Sequence, residues 1–142
     1  MNVWFDKEKM DSILENVISN ALKYTPKNGD ILISVYDMKS SWRLEVKDNG
    51  IGIPAKEQRK LFKMHFRGTN AINSKITGSG IGLMLVRKLV SLHNGKYTLR
   101  APNAKAVLSE SSFPKRKNSS RTSLCPLRIR RPSMNRMSPP FL

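Results

Sequence analysis

The sequence predicts a small α/β domain, and three patterns carry that expectation. Apolar residues recur at helical spacing from Met10 to Leu22 and again from Ile81 to Leu92. Two short segments between them alternate apolar and polar residues with the period of strands. A further strand pattern follows the second helix. A chain of 142 residues has room for one domain, and an apolar fraction of 39% is adequate for its core.

Val3-Trp4-Phe5 reads as a short edge strand. Asp6 is an N-cap candidate, because its carboxylate can accept from an unpaired backbone N–H of the first turn. Met10, Ile13, Leu14, Val17, Ile18, Ala21 and Leu22 then form one stripe. Pro26 sets the end of that helix near Lys23-Tyr24, since it disfavours helical geometry in the residue before it. Ile31, Ile33 and Val35 alternate with Leu32, Ser34 and Tyr36, and Trp42, Leu44 and Val46 alternate with Arg43, Glu45 and Lys47. A turn around Met38-Lys39-Ser40 joins the two strands. Residues 54–62 fit a short helix opened by Pro54, and residues 63–79 fit a mobile loop. Residues 80–92 fit a helix apolar on most faces and largely buried, and Asn94-Gly95 stops it before a strand over 96–100.

The formal charge of +16 is unevenly spread. Residues 1–100 hold 17 Lys+Arg against 9 Asp+Glu, net +8; residues 101–142 hold 9 against 1, also +8. The patterning dissolves after Pro102, so the expected division is a domain over 1–108 and a basic Ser/Arg/Pro-rich tail over 109–142, disordered or aberrant. No apolar run reaches the roughly 18 residues of a membrane span, and no leader pattern opens the chain. Cys125 is the sole cysteine, which excludes an internal disulfide and any cysteine-based metal spacing and fits a reducing, cytoplasmic setting. The basic tail shows no aromatic interleaving and no reading module, so nucleic acid is not an expected partner.

Three constellations carry chemistry. Asn16 and Asn20, four apart on the first helix, lie one turn above each other, with Lys23 a turn further and Tyr24 beside it. Stacked amide oxygens can hold a hard cation such as Mg²⁺, and a lysine beyond them can meet phosphate; two asparagines on a solvated face is the plain alternative. Asp48-Asn49-Gly50-Ile51-Gly52-Ile53-Pro54 follows a strand directly. Asn-Gly alone suits a hairpin turn, but no returning strand follows. Glycines two apart let the backbone approach a flat ligand. An aspartate at a strand end can accept from an exocyclic amine that guanine does not present at the same place. Gly78-Ser79-Gly80-Ile81-Gly82-Leu83 opens the second helix, where unpaired N–H groups and the helix dipole favour phosphate. No strand precedes this triplet as a dinucleotide fingerprint requires, and no Gly-Lys-Ser/Thr phosphate loop exists.

Taken together, this order resembles the gyrase, Hsp90, histidine kinase and MutL superfamily of ATPases. Glu15 to Thr25 is similar to its N box in the histidine kinase form, Asp48 to Gly52 to the G1 box, Leu61 to Arg67 to the F box, and Gly78 to Leu83 to the G2 box. The unit Asn20-Ala21-Leu22-Lys23-Tyr24-Thr25-Pro26 points to the ATP-binding catalytic domain of two-component sensor histidine kinases. The phrasing around His65-Phe66-Arg67-Gly68 is similar to that of hybrid two-component sensors. The resemblance covers residues 1–100 and implies a two-layer α/β sandwich, the Bergerat-type ATP-binding fold. In it a mixed sheet carries helices on one face and ATP lies between the two main helices.

By the same resemblance Asp48 bonds the adenine amine, with Gly50, Gly52, Ile53 and Tyr24 around the base. Asn20 with Asn16 holds Mg²⁺. Lys23, Arg67 and the backbone of Gly78, Gly80, Ile81, Gly82 and Leu83 engage the phosphates, and residues 63–79 act as a lid. The implied reaction supplies the γ-phosphate of ATP to a histidine on a dimerisation and phosphoacceptor domain, with a response regulator receiver domain downstream. That acceptor domain is expected before Met1 and is not in the sequence, so the chain is expected to bind ATP without phosphorylating itself. His65 and His93 are expected to be structural. The family's closing Gly-Ser/Thr-Phe strand is also replaced, by Ala104 to Ser109, with Phe113-Pro114 as a remnant. A serine kinase or ATPase of the same fold, and a non-catalytic ATP-binding remnant, are the alternatives.

Overall fold

A computed structural model describes residues 5–63, 67–73, 78–101, 106–115 and 125–130, the last as backbone only. Helix α1 (Lys7–Tyr24) begins where Asp6 accepts from the Lys9 N–H at 3.1 Å and carries Lys23 in its last turn, a charge order that suits the helix dipole. Its buried stripe is Met10, Ile13, Val17 and Ala21. The Thr25 N–H still bonds the Ala21 carbonyl at 3.1 Å, and Pro26 stops any continuation. The strand expected over Val3-Trp4-Phe5 lies outside the described residues except for Phe5.

Strands β1 (Asp30–Asp37) and β2 (Ser41–Asp48) form an antiparallel hairpin in register from Ile31↔Asp48 to Asp37↔Trp42. The Met38 N–H closes its turn on the Ser41 carbonyl at 2.8 Å. Because side chains alternate across a strand, Trp42, Leu44, Val46 and Asp48 all face the helices and are buried. Residues 54–62 do not make the expected helix. They form turns and one 3₁₀ turn, Gln58–Lys60, where each N–H reaches back only three residues. The segment expected as a loop contains a short helix, α2 (Thr69–Asn73). Glu57 opens it by accepting from the Thr69 N–H at 2.8 Å and from the Thr69 hydroxyl.

Helix α3 (Gly82–Leu92) is less enclosed than its composition suggests: Val86 and Val90 are fully buried, whereas Leu92 is 60% exposed. Asn94 then takes a left-handed backbone (φ 55°), and the chain turns into strand β3 (Lys96–Arg100). Strand β4 (Val107–Pro114) pairs with both β2 and β3, and β5 (Cys125–Arg130) pairs with the free edge of β1. The sheet order is β3-β4-β2-β1-β5.

The result is an α+β sandwich with α1 and α3 packed against a single sheet. Two details differ from expectation. Every strand pairing among the described residues is antiparallel, where a mixed sheet was implied. The boundary expected after residue 108 falls inside β4, which carries Phe113 into the core at 3% exposure and stacks it on Trp42 at 4.4 Å. A buried ion pair between Lys115 and Asp37 ties the end of β4 to the hairpin. His93 has a structural place: Nδ1 lies 2.9 Å from the Leu89 carbonyl, and Nε2 accepts the Asp6 N–H at 3.2 Å. His65 lies outside the described residues.

Candidate functional site

The aromatic packing of Trp42 and Phe113 closes one end of β2. At the other end, where β2 stops at Asp48, the helices and sheet leave a cleft of about 210 Å³. Asn16, Asn20, Lys23 and Tyr24 of α1 line one wall, and Gly78, Gly80, Gly82 and Leu83 line the other. Asp48, Gly52 and Ile53 lie at its base, and Arg67 reaches it from the segment before α2. Lys75 of the same loop lies outside the described residues.

Asp48 is 5% exposed yet carries an ionisable group into the cleft. Its Oδ1 accepts the Gly50 N–H at 2.9 Å. Burial raises its carboxyl above the ordinary value, opposed by bonds from the Gly50 and Val107 backbones. A buried carboxylate facing an open cleft suits an incoming N–H donor. Gly50 does not line the cleft. It lies behind, where a Cβ would come within 2.3 Å of the Tyr24 carbonyl, so its role is to let the Asp48 turn pass under the end of α1. The Ile51 N–H bonds that same carbonyl at 3.0 Å. Gly52 lines the cleft with φ 67°.

The asparagines differ in surroundings. The Asn16 amide donates to the Ser12 carbonyl at 2.8 Å, which turns its oxygen toward α3. A Cβ on Gly82 would lie 2.7 Å from that oxygen, so a side chain where α3 begins would displace the Asn16 amide. Asn20 is half-buried, and no hydrogen bond of its amide occurs among the described residues. Both amide oxygens are thus available to a hard cation, Asn20 with fewer constraints. Gly78 lies within 3.5 Å of the Lys23 Nζ and 3.7 Å of the Tyr24 hydroxyl, measured to its absent Cβ. Ile81 is the residue preceding α3 and does not line the cleft.

Sequence reasoning missed the apolar lining. Val17 and Ala21 come from the buried stripe of α1, Val46 from β2, Leu99 from β3 and Val107 from β4. Core periodicity marks such positions as buried without showing that some of them face a cleft. Ser109, on the inner face of β4, carries no such signal either, because it lies where the sequence patterning dissolves. Gln58 completes the frame: its side chain donates to the Ala101 carbonyl at 3.0 Å and accepts from the Ala101 N–H at 3.4 Å, tying the base loop to the end of β3.

Comparison with known proteins agrees with this geometry. The family model for histidine kinase-, DNA gyrase B-, and HSP90-like ATPases matches residues 5–124. Sensor histidine kinase WalK of Bacillus subtilis is 39% identical over 95 residues, which are 66% of this chain and 16% of that protein. Circadian input-output histidine kinase CikA of Thermosynechococcus vestitus is 36% identical over 92 residues, 65% of this chain and 13% of that protein. The chain therefore spans less than a fifth of the length of these relatives. Among solved structures, mycobacterial sensor histidine kinase MprB superposes with a TM-score of 0.72 at 28% identity, covering 80% of this chain and 77% of that one. The catalytic domain of histidine kinase ThkA gives 0.68 at 29% identity, covering 80% and 71%. The chain belongs to the histidine kinase-, DNA gyrase B- and HSP90-like ATPases, and within them it matches the ATP-binding domain of sensor histidine kinases.

Proposed function

We propose that this chain binds ATP with Mg²⁺ in the cleft and presents the γ-phosphoryl group to a histidine on a dimerisation and phosphoacceptor domain. The observation that carries this reading is convergence: Asp48, Asn20, Lys23 and the Gly80-to-Gly82 turn come from three separate stretches and line one cavity.

Asp48 accepts from the exocyclic amine of adenine, and Ile53, Gly52 and Tyr24 pack about the base. Asn20, with the Asn16 oxygen, holds Mg²⁺, which neutralises charge on the phosphates when bound. Lys23, Arg67 and the N–H groups at the start of α3 take the remaining phosphate charge. The backbone of Gly78, Gly80 and Leu83 shapes the wall around the triphosphate. In the transfer, the bond from the γ-phosphorus to its bridging oxygen breaks and a phosphorus–nitrogen bond forms on the acceptor imidazole. ADP leaves, and the imidazole proton passes to solvent. Such a reaction asks the protein chiefly for positioning and charge stabilisation, which this residue set supplies. A receiver domain of a response regulator takes the phosphoryl group from the acceptor.

His93 is not the acceptor, because both ring nitrogens are engaged at the end of α3. The proposed acceptor is a histidine of a separate domain. The proposed working domain runs from residue 5 through Lys115, with β5 added to its sheet at the edge of β1. Among the described residues no helix is long and apolar enough to cross a membrane. The proposed location is the cytoplasm, where ATP and a reducing environment are at hand.

The test adds radiolabelled ATP and a separately produced acceptor domain. Acid-labile, base-stable label on the acceptor supports the histidine kinase reading. Acid-stable label indicates a serine kinase of the same fold. Nucleotide binding without any transfer indicates a remnant that keeps the site but not the reaction.

A further inference from the structure

The cleft does not end at Asp48. Across β2 and β4 the register pairs Asp48 with Val107 and, one pleat deeper, Val46 with Ser109; β3 sets Leu99 opposite Ser109. All five of these residues line the cavity, so its floor continues beneath the carboxylate by one strand repeat, about 7 Å. At that level the floor is Val46, Ser109 and Leu99.

Ser109 is the unusual member. It is buried to 7% exposure on a sheet face that also carries Trp42, Leu44, Val46, Tyr97, Ser111 and Phe113, and of the two serines it is the one that lines the cleft. Its hydroxyl lies 2.5 Å from the Tyr97 hydroxyl. Burial pushes the Tyr97 phenol up to about 12, so it is a neutral hydrogen-bonding partner throughout the physiological range. That bond draws the Ser109 side chain toward β3. A leucine or phenylalanine here would fill the space beneath Asp48, whereas serine leaves it open.

We propose that Ser109 is a specificity-determining residue, and that the space it leaves admits adenine nucleotides bearing a hydrocarbon substituent on the exocyclic amine. The inference rests on the base position proposed above: with the amine directed at the Asp48 carboxylate, a substituent on the same nitrogen extends along the floor toward Val46, Ser109 and Leu99. A monosubstituted amine keeps one N–H for Asp48, so recognition of the base and occupancy of the floor are compatible. The Leu99 and Val46 side chains supply an apolar lining for it.

The experiment measures the affinities of Mg²⁺–ADP and Mg²⁺–N6-benzyl-ADP for the full chain by calorimetry and reads their ratio. The native chain should bind the two within about threefold of each other. In Ser109→Leu the ratio should shift at least tenfold against the benzyl nucleotide. Ser109→Ala, which guards against misfolding of the larger variant, should keep the native ratio. Rejection of the benzyl nucleotide by a native chain that binds ADP overturns this proposal and leaves the adenine site intact. An unchanged ratio in a folded Ser109→Leu also overturns it. Failure of the native chain to bind ADP at all removes the nucleotide reading and this one together.

Discussion

Replacing Asp48 with asparagine should separate binding from stability in opposite directions. In the native chain Oδ1 accepts the Gly50 N–H at 2.9 Å in a buried setting. An asparagine of the same shape can keep that bond only by placing its carbonyl oxygen there. Its amide NH₂ then faces the cleft, where the adenine amine is also a donor. The ligand loses a hydrogen bond to a charged group, worth about 1.5–3 kcal/mol, or about 10- to 150-fold in Kd. The free protein should respond otherwise. Burial raises the Asp48 carboxyl, so the fold disfavours its charged form relative to the unfolded chain. A group with a raised folded value stabilises below its unfolded value, and that contribution is lost as pH rises through the folded one. At neutral pH the charge is therefore a cost, and Asp48→Asn should hold or raise the Tm of the nucleotide-free chain. Affinity of the native chain for ADP should fall as pH drops through the raised value, because the acceptor becomes protonated. Titration calorimetry gives the affinity, and thermal unfolding followed by circular dichroism gives the Tm. Unchanged ADP affinity in the variant would refute the role given to Asp48. Weaker binding with a large drop in Tm would refute the electrostatic argument, since the loss would then reflect unfolding.

Other outcomes bear on different links. Asn20→Ala should remove most of the Mg²⁺ dependence of ADP affinity, measured by titration with and without the cation; an undiminished dependence would place the cation elsewhere. Gly82→Ala forces a Cβ to 2.7 Å from the Asn16 oxygen, so it should weaken binding and stability although alanine favours helices by about 1 kcal/mol. Adding Asn16→Ala should restore the lost stability in denaturant unfolding, and an additive double variant would contradict the contact. Phe113→Ala should cost about 3–5 kcal/mol in the same assay, because the ring is buried and stacked on Trp42. A cost below about 1 kcal/mol would mean that β4 is not part of the core.

The parts of the fold that depend on one dominant period were legible. The α1 stripe needs only helical spacing and ends at a capping aspartate and a proline, and it appears as expected over Lys7–Tyr24. The β1–β2 hairpin is equally plain, because each strand has one apolar face. Strand β4 was not legible, for a physical reason. Its inner face carries Ser109 and Ser111 between Val107 and Phe113, which interrupts the apolar alternation that marks the other strands. These serines are buried by their neighbours on β2 and β3, a tertiary effect that no local window reports. Helix α2 escaped notice because Glu57 opens it from twelve residues away. In the cleft, polar and glycine positions stood out, since asparagine pairs and glycine triplets need a reason. Gly50 and Ile81 share those motifs but serve chain geometry, Gly50 by allowing close passage under Tyr24 and Ile81 by preceding α3.

In the proposed function one adenine nucleotide joins α1, the Asp48 turn and the start of α3. A titration of isotope-labelled chain with Mg²⁺–ADP, followed by amide resonances, tests this most directly. The amides of Asn20, Gly50, Gly52, Gly80 and Gly82 should shift together with one dissociation constant, and Mg²⁺–GDP should leave them nearly unmoved. Shifts confined to one of these three stretches, or an equal response to GDP, would contradict it.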